Sequence, residues 1–209
     1  MTQSFRHGPI RSERSLTGSN HPDEREDRSH ITMEHAKPSS LGDGVAAIRT
    51  SGALTLSARP IRPEDEPLLR RLFERISPDD LHFRFFGGMR HIDHARLAGM
   101  IDVDYERSIT FLAFDETDRP VGTVMVAGDR RGRDAEIAVS VDSDLKGLGI
   151  GWSLLHHGID WARKKGFRRV FSIEEIENVG TIGLEREAGF VQRRSAEDPT
   201  QTIMSLDLT

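Results

Sequence analysis

The chain has no cysteine and a single tyrosine among its 209 residues. Without cysteine there is neither a disulfide framework nor a thiolate zinc site, which fits a reducing compartment. No apolar run approaches the roughly 20 residues that a membrane-spanning helix needs. The first eight residues, Met1-Thr2-Gln3-Ser4-Phe5-Arg6-His7-Gly8, lack the apolar stretch of a secretory signal. A cytoplasmic protein that engages no membrane is therefore expected. Positive charge is not in excess either. Lys and Arg number 29 against 34 Asp and Glu, a net charge of −5, which argues against an electrostatic nucleic-acid binder.

Residues 1–53 are poor in apolar clusters: Ser, Arg, Asp, Glu, His, Gly and Pro dominate, and the apolar residues are scattered singly. Too little apolar surface is present to offset the entropy of ordering. The expectation is a disordered, solubilising polar tail over 1–53, with a short helix near 44–50, followed by one folded domain over 54–209.

What is present begins with the alternating run Leu54-Thr55-Leu56-Ser57-Ala58-Arg59-Pro60-Ile61, which reads as a strand. Arg62-Pro63-Glu64-Asp65-Glu66-Pro67 suits a helix N-terminus, because proline is tolerated in the first turn and acids favour the positive end of the dipole. Leu68, Leu69, Leu72, Phe73 and Ile76 give that helix a buried stripe. Ser77-Pro78-Asp79-Asp80 opens a second helix that ends in Phe83, Phe85 and Phe86, read as core, and 91–100 predicts a third. Strands at 108–114, 121–127 and through Glu136 are joined by short turns, which implies an antiparallel meander. A strand at 169–173 follows. Asn178 is a suitable N-cap for a helix over 179–188, Gly189 its stop, and 191–194 with 202–208 form a closing hairpin. The fold class is α+β, built on a mixed α/β sheet of about seven strands.

The centre of the chain is Lys146-Gly147-Leu148-Gly149-Ile150-Gly151. The alternating run Ala135-Glu136-Ile137-Ala138-Val139-Ser140-Val141 precedes it, and a helical stripe of Trp152, Leu155, Ile159 and Ala162 follows. Strand, glycine turn and helix present backbone N–H groups where an anion is stabilised. A dinucleotide fingerprint would need Gly-x-Gly-x-x-Gly near the start of a βαβ series, and a Walker loop would end in Gly-Lys-Ser/Thr. Neither fits.

The spacing Arg/Gln-x-x-Gly-x-Gly/Ala does fit, with Lys146 in first place. It resembles the acyl-CoA pyrophosphate loop of the GNAT superfamily of N-acyltransferases, and the likeness extends over 54–209. Within that superfamily the chain is most similar to the acetyltransferase domain of Pat-type protein lysine acetyltransferases. The similarity is carried by Arg59-Pro60-Ile61-Arg62-Pro63-Glu64-Asp65, by Ser77-Pro78-Asp79-Asp80-Leu81-His82-Phe83-Arg84-Phe85-Phe86, and by Ala135-Glu136-Ile137-Ala138-Val139 with Ser143-Asp144-Leu145-Lys146-Gly147.

The resemblance implies acetyl-CoA as cosubstrate and no metal. It implies that Gly147, Gly149 and Gly151 hold the pyrophosphate, with Leu148, Ile150 and Trp152 completing the loop and first turn and Lys146 adding charge. It also implies that Val139, Ser140 and Val141 offer backbone groups to the pantetheine arm, and that Asn178 adds a contact to that arm. Acyl transfer needs a neutral amine, because an ammonium has no lone pair, and a general base meets that need. Glu136 shares a strand face with the small residues Ala138 and Ser140, which leaves space for a substrate. Pat-like enzymes are thought to use the matching glutamate as base. The plainer reading of Glu136 is an exposed strand residue or an ion pair with an arginine of the 130–133 loop.

One departure from the family stands out. Many GNAT enzymes place a tyrosine as general acid in the helix after Asn178, where this chain has Leu184-Glu185-Arg186. Its only tyrosine, Tyr105, lies well before the catalytic strands, so the thiolate leaves unassisted or another donor serves. His91 and His94 lack the carboxylate–histidine pattern of a zinc enzyme, and adjacent His156 and His157 cannot face one way; both pairs are expected on solvated faces. Glu174, Glu175 and Glu177 form an acidic rim, either a solvated edge or an attractor for a cationic amine. The function expected is direct transfer of acetyl from acetyl-CoA to a primary amine, a protein lysine ahead of a small amine. The alternatives are a small-molecule acetyltransferase and a non-catalytic acyl-CoA sensor. Monomer and homodimer are both compatible with the sequence.

Overall fold

The computed structural model describes residues 44–52, 54–87 and 92–209. Its framework is one eight-stranded mixed sheet of β1 (Ala46–Arg49), β2 (Thr55–Pro60), β3 (Ser108–Phe114), β4 (Pro120–Gly128), β5 (Asp134–Val141), β6 (Arg169–Glu175), β7 (Val191–Arg194) and β8 (Gln201–Asp207). The spatial order is β1-β2-β3-β4-β5-β6-β8-β7, and every neighbouring pair is antiparallel except β5 with β6. The predicted meander is therefore present as β3-β4-β5. The closing hairpin is present too, but its second strand lies inside the sheet, between β6 and the edge strand β7.

Two expectations for the start of the domain are corrected. The 44–50 stretch is a strand, β1, and not a helix, and the sheet begins before residue 54. Ala46 and Ile48 alternate with exposed Ala47 and Arg49, and β1 pairs antiparallel with β2 from Ala46↔Ala58 to Arg49↔Thr55. A short segment beside an unpaired sheet edge satisfies more backbone groups as a strand than as a lone helical turn. With β1 included, the sheet has one strand more than the seven expected.

Among the described residues, five α-helices flank the sheet: α1 (Glu66–Phe73), α2 (Pro78–Phe85), α3 (His94–Ile101), α4 (Ile150–Lys164) and α5 (Val179–Glu187). Ser77 caps α2 by accepting from the Asp80 N–H at 3.2 Å, and Asp93 caps α3 by accepting from the Arg96 N–H at 2.9 Å. The third helix thus starts at His94, and His91 lies outside the described residues.

Strand alternation divides the core. Val124, Val126 and Ile137 pack with Leu154, Leu155, Ile159 and Ala162 of α4, while Met125 and Leu112 pack with Leu69, Leu72 and Phe73 of α1 and Leu97 of α3. Helix α4 lies close to the sheet because Gly158 faces it: an added Cβ there would stand 2.8 Å from Ile137 Cδ1 and 2.8 Å from Val124 Cγ2. Among the described residues no helix is long and apolar enough to cross a membrane, and no group of three or more His, Asp or Glu side chains is arranged to hold a metal ion.

Candidate active site

The glycine loop runs directly from β5 into α4. Gly147 and Gly149 both have φ of +77°, a left-handed conformation that glycine adopts without the Cβ penalty. Gly149 is the N-cap of the 15-residue α4 and no side chain caps that end. The first-turn N–H groups and the positive end of the dipole thus face outward together, an arrangement suited to an anion. Gly149 is constrained a second time, since an added Cβ would stand 2.1 Å from Ser51 Oγ and 2.9 Å from the Ser51 nitrogen. The turn between β1 and β2 therefore abuts the loop.

The other predicted loop residues divide by role. Ile150 is 1% exposed and anchors the helix in the core, so only its backbone is available to a ligand. Leu148 is exposed, and the half-buried Trp152 ring lies 4.3 Å from that of His156. Gly151 faces α5, where an added Cβ would meet Leu184 Cδ1 at 3.4 Å and Val141 Cγ2 at 3.7 Å. The Lys146 ammonium is held by Asp80 Oδ1 of α2 at 2.6 Å.

Beside the loop the sheet opens. β5 and β6 pair only through Asp134↔Arg169, Ala135↔Val170 and Glu136↔Phe171, yet β5 continues to Val141 and β6 to Glu175. The two strands fork beyond Glu136. The edge of β5 from Ile137 to Val141, which includes Val139, Ser140 and Val141, has no partner on its β6 side. Val139 and Val141 pack toward the α4 core, whereas Glu136 and Ser140 are buried on the opposite face, with Ala138 between them. Glu136 stands at the base of this fork, in the last β5–β6 pair. It is not an exposed strand residue.

Around Glu136 lies a group of charged side chains that the sequence did not single out as a site. Burial pushes the pKa of Arg84, from α2, below its ordinary value, while Glu136 and Glu174 stabilise its cation. Arg84 Nε is buried without a hydrogen-bond partner, and Nη2 points to Met125 Sδ at 3.9 Å. Phe85, next to it, packs into the α1–α3 core, so the Phe83-Arg84-Phe85-Phe86 segment is core only in part. Glu174 is half-buried and not on a solvated edge, one of the two readings of the acidic rim. Burial drives its pKa up to about 7, against the opposing effects of Asn178, Arg84 and Ser172. The Asn178 amide donates to Glu174 Oε2 at 2.7 Å, and its carbonyl oxygen accepts from the Thr181 N–H at 3.5 Å, the N-cap role predicted for it. Glu175 pairs with His82 of α2 at 3.2 Å.

Glu185 is 3% exposed on α5, and the Ser172 hydroxyl donates to its Oε1 at 2.6 Å while Oε2 has no partner. Burial and then the charge of Glu174 push its pKa up to about 8, with the Ser172 hydrogen bond opposing. Three expectations are thereby settled or corrected. Tyr105 is tied elsewhere, its hydroxyl donating to the Ile61 carbonyl at 2.9 Å. His157 is not solvated: Nε2 is buried, the ring packs on Phe111 at 4.4 Å, and burial lowers its pKa. His156 is half-buried, with Nδ1 2.9 Å from the Trp152 carbonyl oxygen.

Comparison with known proteins follows the same outline. The acetyltransferase (GNAT) family model matches residues 69–190. An acetyltransferase of Pseudomonas aeruginosa is 37% identical over 153 residues, which is 72% of this chain and 82% of that protein. Among solved structures, the GNAT domain of S. lividans PAT superposes with a TM-score of 0.73 at 23% identity, covering 78% of this chain and 96% of that one. Spermidine N-acetyltransferase from Vibrio cholerae, in complex with CoA and spermine, superposes with a TM-score of 0.60 at 16% identity, covering 73% and 95%.

Proposed function

The chain belongs to the acetyltransferase (GNAT) family and is an acetyl-CoA-dependent N-acetyltransferase; from that premise we propose that it passes acetyl directly to a primary amine, a protein lysine, with Glu136 as general base. The observation that carries this reading is the buried carboxylate of Glu136 at the last β5–β6 pair, where the fork begins. In this reading the CoA pyrophosphate sits on Gly147, Gly149 and Gly151, with Leu148, Ile150 and Trp152 forming the rest of the loop and first turn. The pantetheine arm lies along the open edge of Val139, Ser140 and Val141, and Asn178 borders it from the N-terminus of α5. The thioester then reaches the base of the fork beside Glu136. Lys146 joins the pyrophosphate by exchanging Asp80 for it.

The amine arrives as an ammonium and loses a proton to Glu136, directly or through water. The freed lone pair attacks the thioester carbon, the C–S bond breaks, and no acetyl-enzyme forms. Arg84 balances the negative charge of Glu136 and Glu174 before the substrate arrives. The carboxylates of Glu175 and Glu177 near the mouth suit a cationic acceptor such as lysine.

Release of CoA thiol from acetyl-CoA, screened across lysine-bearing proteins and small amines, tests the proposal. General-base catalysis is worth about 100-fold or more, so Glu136→Gln should lower kcat by that factor while leaving acetyl-CoA binding intact. Full turnover by Glu136→Gln across the pH range removes Glu136 as the base. A small amine consumed far faster than any protein lysine reassigns the acceptor. Thermal stabilisation by CoA without turnover on any amine makes the protein a sensor.

A further inference from the structure

We propose that Ser172 is a further catalytic residue, the proton donor to the departing CoA sulfur, and that Glu185 recharges it from behind. This rests on the reading above, in which the thioester lies at the base of the fork.

The geometry begins with the faces of the two strands. Glu136 and Phe171 are the last parallel pair, so their side chains share one face of the sheet, and Ser172, one residue on, points to the other. A thioester held between the diverging strands therefore has the base on one side and the Ser172 hydroxyl on the opposite side. An amine attacking from the Glu136 face expels sulfur toward the Ser172 face. Ser172 and Glu185 are each 3% exposed, so bulk water does not compete as the donor. The Ser172–Glu185 hydrogen bond spans 2.6 Å, and Glu185 Oε2 is buried without any partner. An ionised carboxylate left in that state would be costly; protonated on Oε1, Glu185 instead donates to Ser172 Oγ across the same 2.6 Å, the reverse of the ionised arrangement, and the serine hydroxyl is then released to turn toward the sulfur. The charge of Glu174 also bears on Glu185, and the charged neighbours of Glu174 are Arg84 of α2 and Glu136 of β5. Burial and the charge of Glu174 push the pKa of Glu185 up to about 8, which keeps it protonated at neutral pH.

The step balances. The nitrogen loses two protons in turn, both toward Glu136, as the C–N bond forms and the C–S electron pair leaves on sulfur. Ser172 Oγ passes its proton to sulfur and takes the proton of Glu185. One of the protons collected by Glu136 goes to solvent, and the other restores Glu185. The products are the amide, CoA thiol and one released proton.

The test is steady-state kinetics of the full chain with acetyl-CoA and the best amine from the acceptor screen, between pH 6 and pH 10 on the scale of the reference pKa values. Wild type should lose kcat on the alkaline side as Glu185 ionises. Glu185→Gln keeps an acceptor for Ser172 but has no acidic proton. It should lower kcat by about 10- to 100-fold, leave KM for acetyl-CoA unchanged, and abolish the alkaline limb. Ser172→Ala should give the same kcat loss, and Glu185→Asp should restore an alkaline limb. Glu136→Gln should instead alter the acid limb, which keeps the two roles apart. A Glu185→Gln enzyme with wild-type kcat overturns the proposal. So does one with reduced kcat that retains the alkaline limb, because a structural role would leave that limb in place. Failure of wild type to turn over any amine would overturn the acceptor reading itself, and that result is seen before any variant is made.

Discussion

Gly149 is the residue at which the proposed CoA seat and the turn between β1 and β2 meet. A non-glycine residue at φ +77° carries backbone strain, and its Cβ would collide with the Ser51 nitrogen and hydroxyl. Gly149→Ala should therefore destabilise the fold by about 1–3 kcal/mol and weaken CoA binding as the loop shifts. Thermal melts with and without CoA measure both effects, and an unchanged CoA-induced shift would separate the loop from the seat. The loop glycines and Glu136 were legible in the sequence because their meaning is local: a glycine turn before a helix, and a carboxylate in phase with small residues on a strand. Arg84, Ser172, Glu174 and Glu185 were not legible as a site. Arg84 lies among phenylalanines and reads as core, Glu174 reads as one of three acids on a rim, and Glu185 was noted only as standing where the family's tyrosine is missing. Their significance depends on which faces of α2, β6 and α5 converge on the fork, and only the tertiary structure decides that. Two signals were available: the alternation of Ser172 with Glu174 on the strand after α4, and Glu185 in the segment where the tyrosine is missing.

At the scale of elements, α4 does two jobs through one sequence pattern. Its N-terminus carries the proposed anion seat, while Leu154, Leu155, Ile159 and Ala162 fix its position on the sheet. The stripe was readable, but Trp152 at its upper end is only half-buried and stacks on His156. Gly158 was not marked as special, since glycine in a helix interior otherwise looks like a propensity defect. Its role is the close approach to Ile137 and Val124. Gly158→Val places branched methyls against β-branched neighbours that have little freedom to move, and overpacking of this kind costs about 1–3 kcal/mol. The same displacement lifts α4 from β5, so CoA binding should weaken with stability. Denaturant unfolding and CoA titration of Gly158→Val check this, and stability equal to wild type would show that the helix stands off the sheet already. The element most misread was β1. Its four residues carry almost no pattern of their own, and their conformation is set by the edge of β2.

At the scale of the molecule, the sheet separates two cores, and among the described residues the fork between β5 and β6 is its one parallel junction. The α1–α2 side is tied to the cofactor loop by ions: Arg75 bonds to the fully buried Asp142, and Lys146 to Asp80, which also accepts from Ser77 and Ser143. These links let the fork stay open without parting the two halves, while the buried carboxyl groups behind it make stability depend on pH in a defined direction. Glu185 has a folded pKa of about 8, raised by burial and by Glu174 above the ordinary carboxyl range. The folded state therefore holds its proton more tightly than the unfolded state, and the contribution is full below the unfolded value and lost as pH rises through the folded one. Glu174, raised to about 7, acts in the same direction. The opposite sign applies to Asp104 and Asp115. Burial alone would raise both, but hydrogen bonds from neighbouring backbone and side-chain groups hold each down to about 2. Their contribution is present above the unfolded value and is lost as pH falls toward that figure. The two trends place maximum stability on the acid side of neutrality, near pH 5 as an order of magnitude, with a decline toward pH 8. Thermal unfolding across this range should show that decline in wild type and a weaker one in Glu185→Gln, which has no proton to lose, so that the variant gains on wild type as pH rises. Parallel curves for the two proteins would mean that Glu185 is already ionised at neutral pH, and the proton behind Ser172 would be absent with it.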